Sequence, residues 1–369
     1  MKRLKKSIIL LTIISFCAFF FSLTNQVSIE ASSDDNNSIN YVHLKNTSTN
    51  LSTIYSTSYQ NKIYNQIAKL KKYKNYTIGH PLLITNPYGT NTTSVYMYFK
   101  TSDELQATYT IHCEGYNDFS RTLNNNTLSG YTTNHEYLLV GAIPGQINTI
   151  TVTLTNKQGN PVDTLSWSYN APSLQGGDQY LTVDCDDANT SSLSNGLYTV
   201  LGNDVTEDSE EQAYMRLYDN DGILRSEIPI ISYRSHRILF EDNTMYFSIS
   251  STKIVGMDQT GYISRIYDTG NYKLHHDYIF DDNNNLLVLA SEKNAKTSED
   301  KIIMIEKDSG NITELVDLID LLPNYYSTTS MPDVEEDLDW MHINSLALVD
   351  KTSLIISSRE TSTIIKLDN

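Results

Sequence analysis

The residues of this chain that could do chemistry lie mostly in its second half, as two groups: His275, His276 and Asp277, then His342, Asn344 and Arg359. A neutral imidazole is a nucleophile and proton carrier near neutral pH, and a guanidinium offers a planar fork of donors that suits a tetrahedral oxyanion such as sulfate. The two groups fall in a repeat, because His275-His276-Asp277 before Leu286–Ala290 can be laid on His342-Ile343-Asn344 before Leu354–Ser358 with a one-residue gap. Residues two apart on a strand share a face, so His342 is expected to point with Asn344 and His275 with Asp277. The repeat favours His275 as the partner of His342, with His276 the alternative. The remaining histidines, His43, His80, His112, His135 and His236, read as incidental. The structural alternative for each histidine is a packed, hydrogen-bonded side chain, and for Arg359 a salt bridge to Asp337 or Asp339.

Elements that could bring these residues together are written in a longer repeat. A turn with Asp and Gly followed by a short strand recurs at Asp219–Leu224, Asp258–Ile263 and Asp308–Ile312, with glycines 39 and 49 residues apart. Self-similarity at about 40–50 residues, with several strands per period, is the pattern of propeller blades, whose innermost strands line a channel. The final segment, Ile364–Asn369, matches Ile302 to Asp308, so the chain is expected to stop inside a repeat. Residues 180–369 hold about four blades at that length. An unclosed propeller leaves an unpaired sheet edge, and a truncated or split gene is expected.

Upstream, short alternating runs at Ser94–Phe99, Ala107–His112, Tyr137–Val140, Thr149–Thr155 and Thr164–Tyr169 predict half-buried antiparallel strands. They fit an immunoglobulin-like β-sandwich over 80–170, with 171–179 as a linker. The fold class expected is therefore all-β, a sandwich followed by an incomplete β-propeller. Residues 32–79 read as a polar lead-in, disordered over 32–52, with one short helix near Tyr64–Tyr76 whose basic stretch is a solvated face. Lys2, Arg3, Lys5 and Lys6 precede an apolar run from Ile8 to Leu23, which predicts a signal peptide over 1–31, cleaved after Ala31, and a secreted or cell-surface protein. An uncleaved membrane anchor is the alternative. Bulky Phe16 before Cys17 argues against a lipoprotein signal.

Of 27 basic and 44 acidic residues, residues 1–31 hold four and one, leaving 23 against 43 and a net charge of −20. Such a chain repels nucleic acid, and an anionic substrate would need a local positive pocket. Cys113 and Cys185 form one disulfide or remain two buried thiols; no paired-cysteine metal spacing occurs.

The segments Asn86-Pro87-Tyr88-Gly89, His135–Gly141, Leu274–Asp277, Asp339-Trp340-Met341-His342-Ile343-Asn344-Ser345 and Ser357-Ser358-Arg359 resemble those of bacterial arylsulfate sulfotransferases over roughly residues 80 to 369. The resemblance implies a six-bladed propeller after the immunoglobulin-like domain, and ping-pong transfer of a sulfuryl group from a phenolic sulfate ester to another phenol through a sulfohistidine. It implies no cofactor and no nucleotide donor. By position, His342, Asn344, Arg359 and one of His275 or His276 correspond to supporting residues of the sulfate pocket. The family's nucleophilic histidine lies beyond Arg359, and no histidine follows His342. The chain alone is therefore expected to be inactive unless a downstream polypeptide completes the channel. Two other classes compete: a non-catalytic binding module using its 26 tyrosines as stacking surface, and a metal-dependent hydrolase with His275, His276, His342, Asp277 and Asp339 around the ion.

Overall fold

The computed structural model describes residues 39–124, 130–177, 196–202, 212–329, 337–350 and 353–368. The expected signal peptide, the residues proposed for its cleavage, Cys185 and the expected start of a propeller at 180 lie outside them. Cys113 is buried.

The expected lead-in is largely structured from residue 39. Val42 donates its backbone N–H to Leu83, and helix α1 (Leu51–Ile54) precedes helix α2 (Thr57–Tyr73). Asn50 and Ser56 cap the two helices, their side chains accepting from Thr53 and Tyr59 N–H groups. The helix is longer than expected and begins earlier, because its apolar face is spelled by Tyr59, Ile63, Ile67 and Leu70 rather than by the basic stretch. Lys71 and Lys72 stay in the last turn, where cations suit the helix dipole.

The strands β1 (Leu82–Thr85), β2 (Val95–His112), β3 (Phe119–Leu123), β4 (Thr132–Leu139), β5 (Ile147–Thr155) and β6 (Pro161–Asn170) form the unit expected to be an immunoglobulin-like sandwich. The two runs Ser94–Phe99 and Ala107–His112 are one strand. The first part of β2 pairs with β1 and β4, the second with β3 and β5, across an irregularity between Lys100 and Leu105. The polar residues between the runs mark that irregularity and not a loop. His135 is a core residue here, stacked on Phe99 at 4.4 Å, with Nδ1 2.8 Å from the Tyr137 hydroxyl and Nε2 3.0 Å from Thr101 Oγ1. Burial pushes its pKa down from 6.5 to about 4. A histidine depressed in this way favours the folded state fully above its unfolded pKa, and that advantage is lost as pH falls from 6.5 toward 4. Wild type should therefore lose roughly 2 kcal/mol more than His135→Gln between pH 6.5 and 5, read from urea midpoints at the two pH values.

Four small antiparallel sheets follow: β7 (Tyr198–Val200), β8 (Ala213–Tyr218) and β9 (Leu224–Ile230); β10 (Ile238–Glu241), β11 (Thr244–Ser250), β12 (Lys253–Met257) and β13 (Ile263–Asp268); β14 (Tyr272–Phe280), β15 (Leu286–Glu292), β16 (Lys301–Ile305) and β17 (Ile312–Asp317); and β18 (Ile343–Asp350), β19 (Ser353–Ser358) and β20 (Thr363–Asp368). Between β17 and β18 stand two single-turn helices, α3 (Leu318–Leu321) and α4 (Pro323–Tyr326). Each repeated Asp-Gly turn joins two strands of one sheet. Gly222, Gly261 and Gly310 have φ of 73°, 86° and 71°, where a Cβ is disfavoured, and the Asp219 and Asp258 carboxylates accept backbone N–H bonds across their turns. The match of the final segment to Ile302 also holds in register: Ile303 pairs with Val288, and Ile365 with Ile356.

Neighbouring sheets pack face on face. Leu286, Val288 and Ala290 bury toward the β10–β13 sheet with Tyr246, Ile254 and Tyr267, while Leu287 and Leu289 bury toward Trp340, Ile343 and Ile356 of the next unit. A strand covered on both sides reads as a continuous apolar run, which is why Leu286–Ala290 shows no alternation. Among the described residues no sheet closes on itself.

The expected linker is held at its near end, since Gln175 and Gly176 donate backbone N–H bonds to the buried Glu227 carboxylate at 2.6 and 3.1 Å. Beside it, Arg225 is 1% exposed; Nε donates to Asp219 at 2.6 Å, and its guanidinium also donates to the carbonyls of Gly141 and Asn117. These bonds seat the first small sheet against the sandwich.

Candidate functional site

Three departures from regular strand geometry build the site. β14 breaks register with β15 between Leu274 and Tyr278, and within that break His276 has φ of 45°. His342, just ahead of β18, has φ of 46°, and Glu299, in the loop between β15 and β16, has φ of 54°. A non-glycine residue in this region costs about 1–3 kcal/mol and persists only where its surroundings over-determine it, commonly at functional sites. Six of the eleven described non-glycine residues with positive φ are Asn or Asp, which tolerate it. His276, Glu299 and His342 are not of that kind, and their side chains meet.

His276 Nε2 lies 3.0 Å from His342 Nε2 and 3.3 Å from Glu299 Oε2. On its other side, His342 Nδ1 is 2.5 Å from Asp339 Oδ2 and 2.7 Å from Glu299 Oε2. Two carboxylate oxygens against one ring nitrogen require a proton on Nδ1. The facing Nε2 atoms then hold one proton between them, since two N–H groups would clash and two lone pairs would repel. Arg359 joins through the same acceptor: Nη2 donates to Asp339 Oδ2 at 3.1 Å, and its backbone N–H donates to the His342 carbonyl at 3.1 Å. The guanidinium is 56% exposed and also pairs with Glu360.

Behind this group His275 is 1% exposed, its ring 5.5 Å from that of His276, and neither of its ring nitrogens has a hydrogen-bond partner. His236, in the loop before β10, stands 6.4 Å from His276 by ring centroids, with Nε2 also unpartnered. Burial pushes the pKa of His275 down to about 4. For His236, burial, reinforced by the neighbouring His275 and the Arg234 guanidinium, pushes it to about 3, so both rings are neutral at pH 7. Burial pulls the Glu299 carboxyl up, but the neighbouring imidazoles outweigh it and hold the group below its ordinary value. For Asp339 burial prevails over the His342 bond and keeps it above.

The structure thus brings His276, His342 and Arg359 together, with His275 in the layer beneath. It is His276, not the expected His275, that reaches His342. Asn344 does not share a face with His342: it is exposed, and its Oδ1 accepts from Ser357 Oγ at 2.5 Å. Strand alternation fails because His342 precedes β18, whose pairing with β19 shifts between Ile343 and Ser345. Asp277 also leaves the site, accepting from Arg237 Nη1 at 2.7 Å and from the Leu346 N–H at 2.9 Å, which ties β14 to β18. The salt bridge foreseen as the alternative for Arg359 is present, to Asp339.

Two residues of the group were not among the candidates. His236 is two residues ahead of β10 as His342 is one ahead of β18, a spacing legible in the repeat but passed over as incidental. Glu299 precedes β16 as the 359–362 turn precedes β20, so the same repeat carried the signal for it.

A model of the arylsulfotransferase (ASST) family matches residues 182–369, and a model of the arylsulfotransferase Ig-like domain matches residues 82–171. A search of curated proteins finds no match. Among solved structures, a protein of unknown function from Bacteroides caccae is 13% identical, with 71% of this chain and 90% of that one covered and a TM-score of 0.30. The glutaminyl cyclase of Myxococcus xanthus is 8% identical, with coverages of 61% and 87% and a TM-score of 0.27. Likenesses this slight support no argument about site or fold.

Proposed function

Because this chain belongs to the arylsulfotransferase family, we propose that it takes part in moving a sulfuryl group from a phenolic sulfate ester to another phenol, at the site of His276, His342 and Arg359. The observation that carries the reading is the 3.0 Å contact between His276 and His342 over a carboxylate-held Nδ1. The four small sheets are read as propeller blades, with their strand starts turned to a shared channel.

In the first half-reaction the sulfur to aryl-oxygen bond breaks, a sulfur to imidazole-nitrogen bond forms, and the departing phenolate takes a proton. In the second an acceptor phenol gives up its proton and its oxygen displaces the imidazole. The His276–His342 pair can hold or deliver that proton, because one proton lies between two nitrogens and Asp339 anchors the far side of the ring. The Arg359 fork suits the sulfuryl oxygens once it turns from Asp339. By family position the attacking imidazole is none of these side chains. The basic and apolar N-terminal segment supports export, so that the reaction would take place outside the cytoplasm.

The test is transfer from 4-nitrophenyl sulfate to phenol, run with the chain by itself and together with the product of the adjacent downstream reading frame. Release of 4-nitrophenol that requires both this chain and the acceptor supports the reading. No release in either arrangement overturns it.

A further inference from the structure

The charge around His276 and His342 is unusual for a pocket that holds an anion. Two carboxylates, Glu299 and Asp339, face the imidazoles, against one guanidinium that is already paired with Asp339. Both ring nitrogens of His275 are buried without a hydrogen-bond partner, while Glu299 Oε2 faces the two imidazoles, 3.3 Å from His276 Nε2 and 2.7 Å from His342 Nδ1. A buried polar atom left without a partner is costly unless something not yet named binds it.

We infer that His275, His276 and Glu299 form a binding site for a divalent transition-metal ion of the zinc class. One ligand atom from each lies within 4.8 Å of the others. A tetrahedral ion with bonds of about 2.1 Å separates its ligands by roughly 3.4 Å, and His276 Nε2 and Glu299 Oε2 already stand 3.3 Å apart. The other two edges are at most 4.8 Å and close to that spacing when the ion binds. Two imidazoles and one carboxylate select zinc, nickel or copper over magnesium and calcium, which prefer all-oxygen shells. His275 is enclosed while the His276 side chain is 27% exposed, so the set is closed behind and open in front, with a fourth position for water or an anion.

Binding would turn His276 Nε2 from His342 toward the ion. It would also supply the positive charge that two carboxylates otherwise withhold from an anionic ligand. The inference does not rest on sulfuryl transfer, since it is read with no sulfate ester present.

The experiment is calorimetric titration of EDTA-stripped protein with Zn2+, with Mg2+ as the comparison ion and Co2+ as a spectroscopic probe. One Zn2+ per chain is expected, together with visible absorption of tetrahedral Co2+ and no Mg2+ binding. Glu299→Gln and His276→Ala should each weaken Zn2+ binding by roughly tenfold or more, with near-UV circular dichroism unchanged. His112→Ala, which removes a surface histidine paired with Asp118, should leave it as in wild type. His276 is partly exposed, so its replacement tests the site even if Glu299→Gln fails to fold. The inference is overturned by absence of saturable Zn2+ binding, or by binding that His276→Ala leaves unchanged.

Discussion

His342→Ala should lower sulfuryl transfer by about 10²–10⁴-fold, the range for losing a positioned acid or base, in whichever arrangement of the transfer assay is active. The magnitude follows from its contacts. His342 touches His276, Asp339 and Glu299 together, and its carbonyl receives the Arg359 backbone N–H. Alanine removes the ring but keeps that backbone bond, so the thermal midpoint should change little in comparison with the rate. Asp339→Asn provides the companion measurement: it keeps the shape but removes one of the two carboxylates that hold the proton on His342 Nδ1, leaving Glu299 Oε2 alone. A pH profile displaced in Asp339→Asn and a rate collapsed in His342→Ala would place the proton relay at this pair. Equal rates for wild type and His342→Ala would remove the relay from the mechanism.

Arg225→Ala should destabilise the fold by about 3–5 kcal/mol, the cost of leaving one member of a buried ion pair without its partner. Arg225 and Asp219 are 1% and 6% exposed by side chain and meet at 2.6 Å. The guanidinium also caps the carbonyls of Gly141 and Asn117 from the sandwich and lies over the Phe119 ring. Its loss therefore strips acceptors on both sides of the contact between the sandwich and the first small sheet. Urea unfolding followed by tryptophan fluorescence reads the change, since Trp167 lies in the sandwich and Trp340 beside the last sheet. If the two parts unfold together in wild type and separately in Arg225→Ala, the bonds of Arg225 are what couple them. A loss below about 1 kcal/mol would place Arg225 among ordinary surface pairs.

Much of the fold was legible because its signals are local. The Asp-Gly turns set glycine at positive φ, and in two of the three a short carboxylate accepts N–H bonds across the turn, so their spacing reveals the sheets. The sandwich strands β4, β5 and β6 were legible for a similar reason, since alternating burial is written residue by residue along them, whereas β3 shows no such alternation and was not foreseen. Helix α2 was harder to read. Its tyrosines and lysines look solvated until the sandwich and the β10–β13 sheet are there to cover Tyr59, Ile63 and Ile67. The long strand β2 was misread as two because exposed polar residues mark a loop and a strand irregularity alike.

The candidate site divides in the same way. By itself the amino-acid sequence determined which residue types could act, that they recur with the small sheets, and that His342 and Arg359 belong together, because repeat spacing and family motif are properties of order along a chain. Only the tertiary structure decided that His276 and not His275 meets His342, and that Asn344 and Asp277 turn elsewhere. Those outcomes depend on a strand bulge and on positive φ at His276, Glu299 and His342. Such departures are imposed by packing between neighbouring sheets, which no local pattern records.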